Sequence, residues 1–462
     1  MEWDGILYYI LRSMTRYRLK AAAATSLAIL VAISLSCARP APYGIADRPK
    51  ATPYLNMPAR ADGKIPALLS QTGAFSDTAK LVPSEALIPY DLVVAFWSDG
   101  ADKSRLIAVP NGKIGFAPTG EWKFPAGTVF VKTFELATDA AKPLLKRRLE
   151  TRLLVRDEAG GVYGVVYKWR SDESDADLLP ASLTEEIPVK SGDGEVHSQT
   201  WYYPNRADCF ECHTARAGGV LGVKTRQLNR TFAYPSGVTD NELRTWNHLG
   251  LFAPEINNED LSKLPSLAAS ADESRTLQER ARSYLDANCA QCHRPGGTVA
   301  NFDARYDTPL AEQSLIDGPV LIDQGIDRPR VISPHDVWRS IAFMRLNTVG
   351  DIKMPPLARE TIDRKGVHLL NDWIASMPGR DVLAPPVISP PGGGFAGAIE
   401  ISMTAEAGAD IRYTLDGTEP GASDMRYQKP VKLSHPTIVR ARAYQAGFTR
   451  SIVEQQVFMV GK

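Results

Sequence analysis

Two Cys-x-x-Cys-His motifs, Cys209-Phe-Glu-Cys212-His213 and Cys289-Ala-Gln-Cys292-His293, constrain this chain more than any other feature. Two thiols three positions apart suit thioether bonds to the two vinyl groups of one haem, and the adjacent histidine then supplies an imidazole nitrogen to the iron. The chain holds five cysteines, and these motifs use four of them. The expectation is two covalently bound haem c groups, with His213 and His293 as proximal ligands. Three other uses of the thiols compete. One zinc site normally sets its two Cys-x-x-Cys pairs about 15–20 residues apart, and here the gap is far longer. A dithiol redox centre calls for a βαβ context that is missing. Ordinary disulfides would leave both histidines unexplained.

The N-terminus points out of the cytoplasm. Arg16, Arg18 and Lys20 precede an apolar run from Ala21 to Leu35, which is the length of a signal peptide and short for a membrane span. Cys37 follows Ser34-Leu35-Ser36, which resembles a bacterial lipoprotein box and implies a lipid on Cys37 that holds the chain to a membrane, with simple secretion and an uncleaved anchor as the alternatives. The box departs from the usual pattern in having Ser34 where a branched apolar residue normally stands. Formal net charge is zero, so no basic patch suggests a nucleic acid partner.

The fold class expected is multidomain α+β. Residues 1–37 read as signal peptide and lipobox, and the Pro- and Ala-rich stretch 38–65 as a tether. Residues 66–205 read as a β-sandwich carrying a haem site, with strands over 127–136, 149–155 and 162–169. Trp97, Trp122, Trp169 and Trp201 fall in this region as candidate core, Trp201-Tyr-Tyr203 also as a wall for the first haem. Residues 206–271 form the first haem-binding segment, with a short helix over 241–249. Residues 272–378 read as an all-α class I cytochrome c domain, with helices over 272–287, from His335 to about Leu346, and over 361–377. Ser333-Pro334-His335-Asp336 reads as the start of the middle helix. Residues 379–394 read as a linker, and 395–462 as a small Ig-like β-sandwich.

Met354, in Met354-Pro355-Pro356, is the expected sixth ligand of the second haem, with Met344 as the fallback. Its competing role is that of an ordinary core methionine. The Pro295-Gly-Gly297 turn is expected to accept the other N–H of His293. No methionine lies between His213 and Cys289. His248 and His197 are therefore candidate sixth ligands of the first haem, alongside an open position. No residue is assigned a catalytic role, and no carboxylate pair stands out as a glycosidase acid and base.

Residues 66–378, through Trp201-Tyr-Tyr-Pro-Asn-Arg-Ala-Asp-Cys-Phe-Glu-Cys-His213, Leu221-Gly and Gln227-Leu-Asn229, resemble an uncharacterised family of dihaem c-type cytochromes among bacterial lipoproteins. The resemblance implies a neighbouring gene for a parallel β-helix protein, and with it a periplasmic partner of that kind. The Leu285–Gly297 stretch with Met354-Pro-Pro is similar to the cytochrome c domain of many bacterial oxidoreductases. Ile411-Arg-Tyr-Thr-Leu-Asp-Gly-Thr-Glu-Pro420 resembles the C-terminal module of chitobiases and β-hexosaminidases, usually an accessory. The function expected is electron transfer between a redox donor and an acceptor protein, on the periplasmic side of a membrane. The alternative is a haem enzyme with an open first haem, like a dihaem peroxidase or the cytochrome subunit of a dehydrogenase. A third reading is a binding protein acting through its last module.

Overall fold

A computed structural model describes residues 42–298, 301–357 and 359–461. The apolar run 21–35 and Cys37 lie outside them. Among the described residues, no helix is long and apolar enough to cross a membrane.

The centre of the first half is a six-stranded antiparallel sheet. Its strands are β1 (Ile88–Pro89), β2 (Asp102–Ala108), β3 (Val129–Ala137), β4 (Lys146–Arg156), β5 (Val162–Trp169) and β6 (Ala176–Leu178), paired in that order. Asp157 holds the β4–β5 turn: its N–H donates to Gly161, and its Oδ1 accepts the Gly161 N–H at 2.6 Å. A separate hairpin, β7 (Leu183–Lys190) and β8 (Val196–Tyr203), leads into the first motif. Val129, Val131, Leu153, Val155, Val165 and Tyr167 bury one face of the sheet under Met57, Leu69 and Phe75. Ile107, Phe130 and Val162, with Trp122, pack instead on Val220, Leu228, Leu243, Trp246 and Phe252. The segment 206–271 is thus a cover for the sheet's second face. Its α-helix Glu242–His248 starts at Asn241, whose side chain accepts the N–H groups of Leu243 and Arg244.

The stretch expected to be a tether is part of this fold where it is described. Arg48 donates to the carbonyls of Pro110 and Gly112 at 2.8 and 2.7 Å, and Gly44 N–H to Thr245 Oγ1 at 3.0 Å. Low periodicity here reflects irregular backbone fastened by side chains.

Residues 272–378 correct the expected fold class, because they are not an all-α class I cytochrome c domain. Their α-helices are Leu277–Cys289, Ile341–Leu346 and Arg364–Ser376, of 13, 6 and 13 residues. Between the first two lie turns and isolated bridges such as Ile316–Ile332 and Arg330–Ser340. Nor, among the described residues, do three or more His, Cys, Asp or Glu side chains gather as a ready metal site. The first and last of these helices do pack together through Tyr284, Leu285, Val367 and Leu370. Gly366 permits the contact, since a Cβ there would lie 2.4 Å from the Tyr284 ring. Helix starts are later than periodicity suggested. Thr276 and Glu279 form a reciprocal cap for the first, and Asp363 caps the last. The Ser333-Pro-His-Asp stretch does not open an α-helix, because His335 has φ +59° and Asp336 caps only a short 3₁₀ turn, Val337–Arg339.

The C-terminal module has two sheets, one of five strands and one of three, closed over Ile401, Val439, Ala441 and Phe458. The expected linker enters both sheets, through Val387–Ser389 and Gly393–Phe395. Asp327 ties the module to the rest. It pairs with Arg339 at 3.0 Å, with Arg450 at 3.2 Å and with the buried Arg442 at 3.6 Å. Burial works against the Asp327 carboxylate, but these arginines overcome it and hold the carboxyl below its ordinary value. Its contribution is therefore present above about pH 4, the usual carboxylate range, and is lost as pH falls through the lower folded value. Asp327→Ala is expected to cost about 3 kcal/mol, as when one partner of a buried pair is removed. Limited proteolysis should then cut near residues 379–386 in the variant and spare the parent. Equal resistance of both would show that Asp327 does not hold the module.

Candidate functional site

Strand β8 delivers the chain to the first motif through a tight polar turn. Asn205 Oδ1 accepts the N–H groups of Ala207 and Asp208 at 2.7 and 3.1 Å, and Asp208 Oδ2 accepts the Tyr202 hydroxyl at 2.7 Å. Cys209–Cys212 then forms one helical turn. Gly164 on β5 makes room for it, since a Cβ there would stand 2.7 Å from Cys209 Sγ. The loop behind it doubles back through Gly218 and Gly219, with φ of +80° and +76°. This brings the Gly219 carbonyl 2.7 Å from His213 Nδ1. A carbonyl only accepts, so Nδ1 carries the proton and Nε2 keeps its lone pair. Burial, with Lys132 and Arg152 nearby, lowers the His213 pKa to about 4 against the Gly219 bond, so the ring is neutral at pH 7. A neutral imidazole with one nitrogen anchored and the other free is the form that binds a metal.

The second motif closes the helix Leu277–Cys289. Cys292 and His293 both donate their N–H groups to the Cys289 carbonyl, at 3.1 and 2.9 Å. The His293 ring stacks on Phe302, centroids 4.2 Å apart. The bond expected from Pro295-Gly-Gly297 is not made, because His293 Nδ1 is buried without a hydrogen-bond partner. Burial and the Arg345 charge lower the His293 pKa to about 4. Met354 lies on a loop tied to the same neighbourhood, its N–H donating to the Arg345 carbonyl at 2.9 Å.

The two motifs meet. Cys212 and Cys292 share a side-chain hydrogen bond, and Cys292 Sγ lies 3.7 Å from the Glu211 carbonyl. Arg294 reaches the Arg216 carbonyl at 3.2 Å and Glu121 at 3.0 Å. Lys224, beyond the first motif, pairs at 2.8 Å with Asp286 on the helix before the second, both nearly sealed from water. Trp97 N–H donates to Asn288 Oδ1 at 2.8 Å, so the β-domain holds that helix too. None of the four motif cysteines is in a disulfide, and among the described residues three or more His, Cys, Asp or Glu side chains do not gather around them as a zinc site.

A cleft of about 1500 Å³, its open mouth included, runs between these segments and the sheet. Cys209, Cys212 and His213 line it, as do Phe130, Leu154, Val220, Asp286 and Gln291. Leu357, next to Met354-Pro-Pro, reaches its wall. Tyr202 lines it as well, whereas Trp201 and Tyr203 are buried with Phe134 and Ile187 in a separate core. Neither histidine considered as a sixth ligand belongs to the cleft. His248 stacks on Tyr43 at 3.6 Å and donates to the Ala46 carbonyl, and His197 is an exposed residue on β8 beside Ser191. Arg105, Lys132 and Arg152 also face the cleft, a role not drawn from the sequence. The signal was present, since Lys132 shares the Phe130 and Phe134 face of β3.

Residues 390–454 match the family model described as the chitobiase/beta-hexosaminidase C-terminal domain. No curated protein and no solved structure matches the chain.

The Gly164–Cys209 contact sets a test of this geometry. Gly164→Ala is expected to lower stability by about 1–3 kcal/mol, the usual cost of overpacking. Gly192→Ala, where a Cβ meets nothing within 4 Å, serves as control. Equal thermal midpoints for the two variants would mean that Cys209 is not seated against β5.

Proposed function

We propose that this chain is a dihaem c-type cytochrome that carries electrons between a donor and an acceptor protein outside the cytoplasm. In this reading Cys209, Cys212 and His213 hold one haem, and Cys289, Cys292 and His293 the other. Met354 is the sixth ligand of the second. Lipid on Cys37 keeps the protein at the membrane, within reach of its redox partners. The likeness of residues 66–378 to dihaem lipoprotein cytochromes supports this, and it brings a parallel β-helix protein in as a candidate partner.

The observation that carries the reading is the contact between the motifs through Cys212 and Cys292. Thiols in contact would place two attached cofactors close enough for direct electron passage between them. The residues also fit the group. His213 offers a free Nε2 on a fixed, neutral ring, and Cys209 and Cys212 open onto the same cleft. When bound, haem supplies one-electron chemistry at a potential set by its axial ligands and surroundings. A second reading, catalysis at an open first haem, is favoured by one feature. Among the described cleft-lining residues there is no methionine and no histidine besides His213.

The test uses protein made in cells able to attach haem. Intact mass should exceed the bare chain and any lipid by two haems. Met354→Ala should lower the potential of one haem and replace its low-spin spectrum with a weak-ligand one. The reduced parent should bind carbon monoxide poorly. A colourless parent of bare mass would sink the cytochrome reading, and tight carbon monoxide binding at one haem would replace the carrier with the enzyme.

A further inference from the structure

Strand register places three cations side by side in the first cleft. Arg105 on β2 stands opposite Lys132 on β3, which stands opposite Arg152 on β4. Like charges directly across neighbouring strands repel. The outer two have local relief. Arg105 pairs with Asp91 at 2.5 Å, and Arg152 grips Glu150 with two hydrogen bonds at 3.0 and 2.6 Å. Among the described residues Lys132 makes no ion pair: the Phe134 ring centre lies 4.8 Å from Nζ, and Glu150, which acts on it from nearby, is gripped by Arg152. The other carboxylates of the cleft are engaged elsewhere: Glu121 by Arg294, Asp208 by Tyr202 and Asp286 by Lys224. A desolvated ammonium is costly without an anion beside it, so burial and the Arg105 and Arg152 charges press Lys132 toward its neutral form, and an entering carboxylate would hold it charged.

We infer that Arg105, Lys132 and Arg152 form a carboxylate seat, with Lys132 its main contact, and that a propionate of the haem held by His213 occupies it. This rests on the dihaem reading. The chemistry fits: a propionate carboxylate accepts hydrogen bonds from an ammonium and from planar guanidinium groups. The placement fits as well, because the cation row adjoins Phe130, Leu154 and Gly164 along the strands, where Cys209 is seated. An apolar macrocycle would lie on the uncharged row with its acidic edge on the charged one. The same cations could be met by a soluble oxyanion, and the experiment separates the two sources.

The holoprotein is compared with Lys132→Gln and Lys132→Arg by intact mass, absorption spectrum and redox titration, with and without inorganic phosphate. All three should carry two haems and keep the parent's low-spin spectrum. Lys132→Gln should favour the ferric form of one haem about tenfold, a fall of ~59 mV for a one-electron couple. Lys132→Arg should stay near the parent. Phosphate should not move the parent's potential. An unmoved potential in Lys132→Gln overturns the seat while leaving the haems in place. Loss of the low-spin spectrum in that variant would make the amine an iron ligand and overturn it differently. A phosphate-sensitive parent would assign the row to a soluble anion. A parent lacking haem would remove the underlying reading itself.

Discussion

The buried ion pair between Lys224 and Asp286 is the contact on which the rest of the arrangement depends. Lys224 follows the loop that anchors His213, and Asp286 lies one turn before Cys289. The pair therefore fixes the distance between two motifs that chain connectivity leaves free. Removing two charges from water costs several kcal/mol per ion, which a close contact only partly repays. Asp286 recovers more by also accepting the Tyr306 N–H at 2.9 Å. Lys224 has further negative charge nearby in Glu121 and Asp307, and its pKa stays raised despite burial. Such a pair contributes placement more than stability. Arg294 and Trp97 brace the same junction from the second motif and the β-domain.

The two histidines are prepared differently. His213 has its tautomer set by the Gly219 carbonyl. His293 has an aromatic neighbour and an unanchored Nδ1. An anchored imidazole is the stronger donor, because the hydrogen bond at one nitrogen raises electron density at the other. The surroundings differ too: a row of cations near His213, and Arg345 near His293. Two sites with the same five-residue motif thus differ in donor strength and local field.

Much of this was legible in the sequence where the signal is local. The strand 127–136, read from its alternation, and the strands 149–155 and 162–169, read from the hairpin turn between them, form neighbouring strands of one sheet. The Asn241 cap marks its helix to within a residue. Signals that depend on distant partners were not legible. Helical periodicity extended the helix over 272–287 too far upstream because the Thr276–Glu279 cap competes with it. Proline and acid after Ser333 imitate a helix start, and His335 in a left-handed conformation cancels it. The all-α reading of 272–378 took three helices as representative of a segment whose middle, from Cys292 to Arg339, is held by side chains such as Asp303, Gln313 and Arg339. Contact between Cys212 and Cys292 is purely tertiary, and no pattern in either motif announces it.

The C-terminal module bears on the site through geometry. An accessory domain on a free linker would explore many orientations and add reach without direction. Here the linker is consumed by two strands, and Asp327 joins arginines from both sides of the boundary. Arg339, which contributes from the 272–378 segment, also donates to the Arg450 and Ser451 carbonyls of the module. The same arginine pairs with Asp336, just ahead of the helix Ile341–Leu346. Arg345 of that helix accepts the Met354 N–H through its carbonyl and lies near His293. Short polar contacts thus tie the module to the turn Val337–Arg339, from which the chain runs on through the helix Ile341–Leu346 to Arg345. The module is therefore fastened to the 272–378 segment through Asp327 and Arg339 instead of hanging from a free linker.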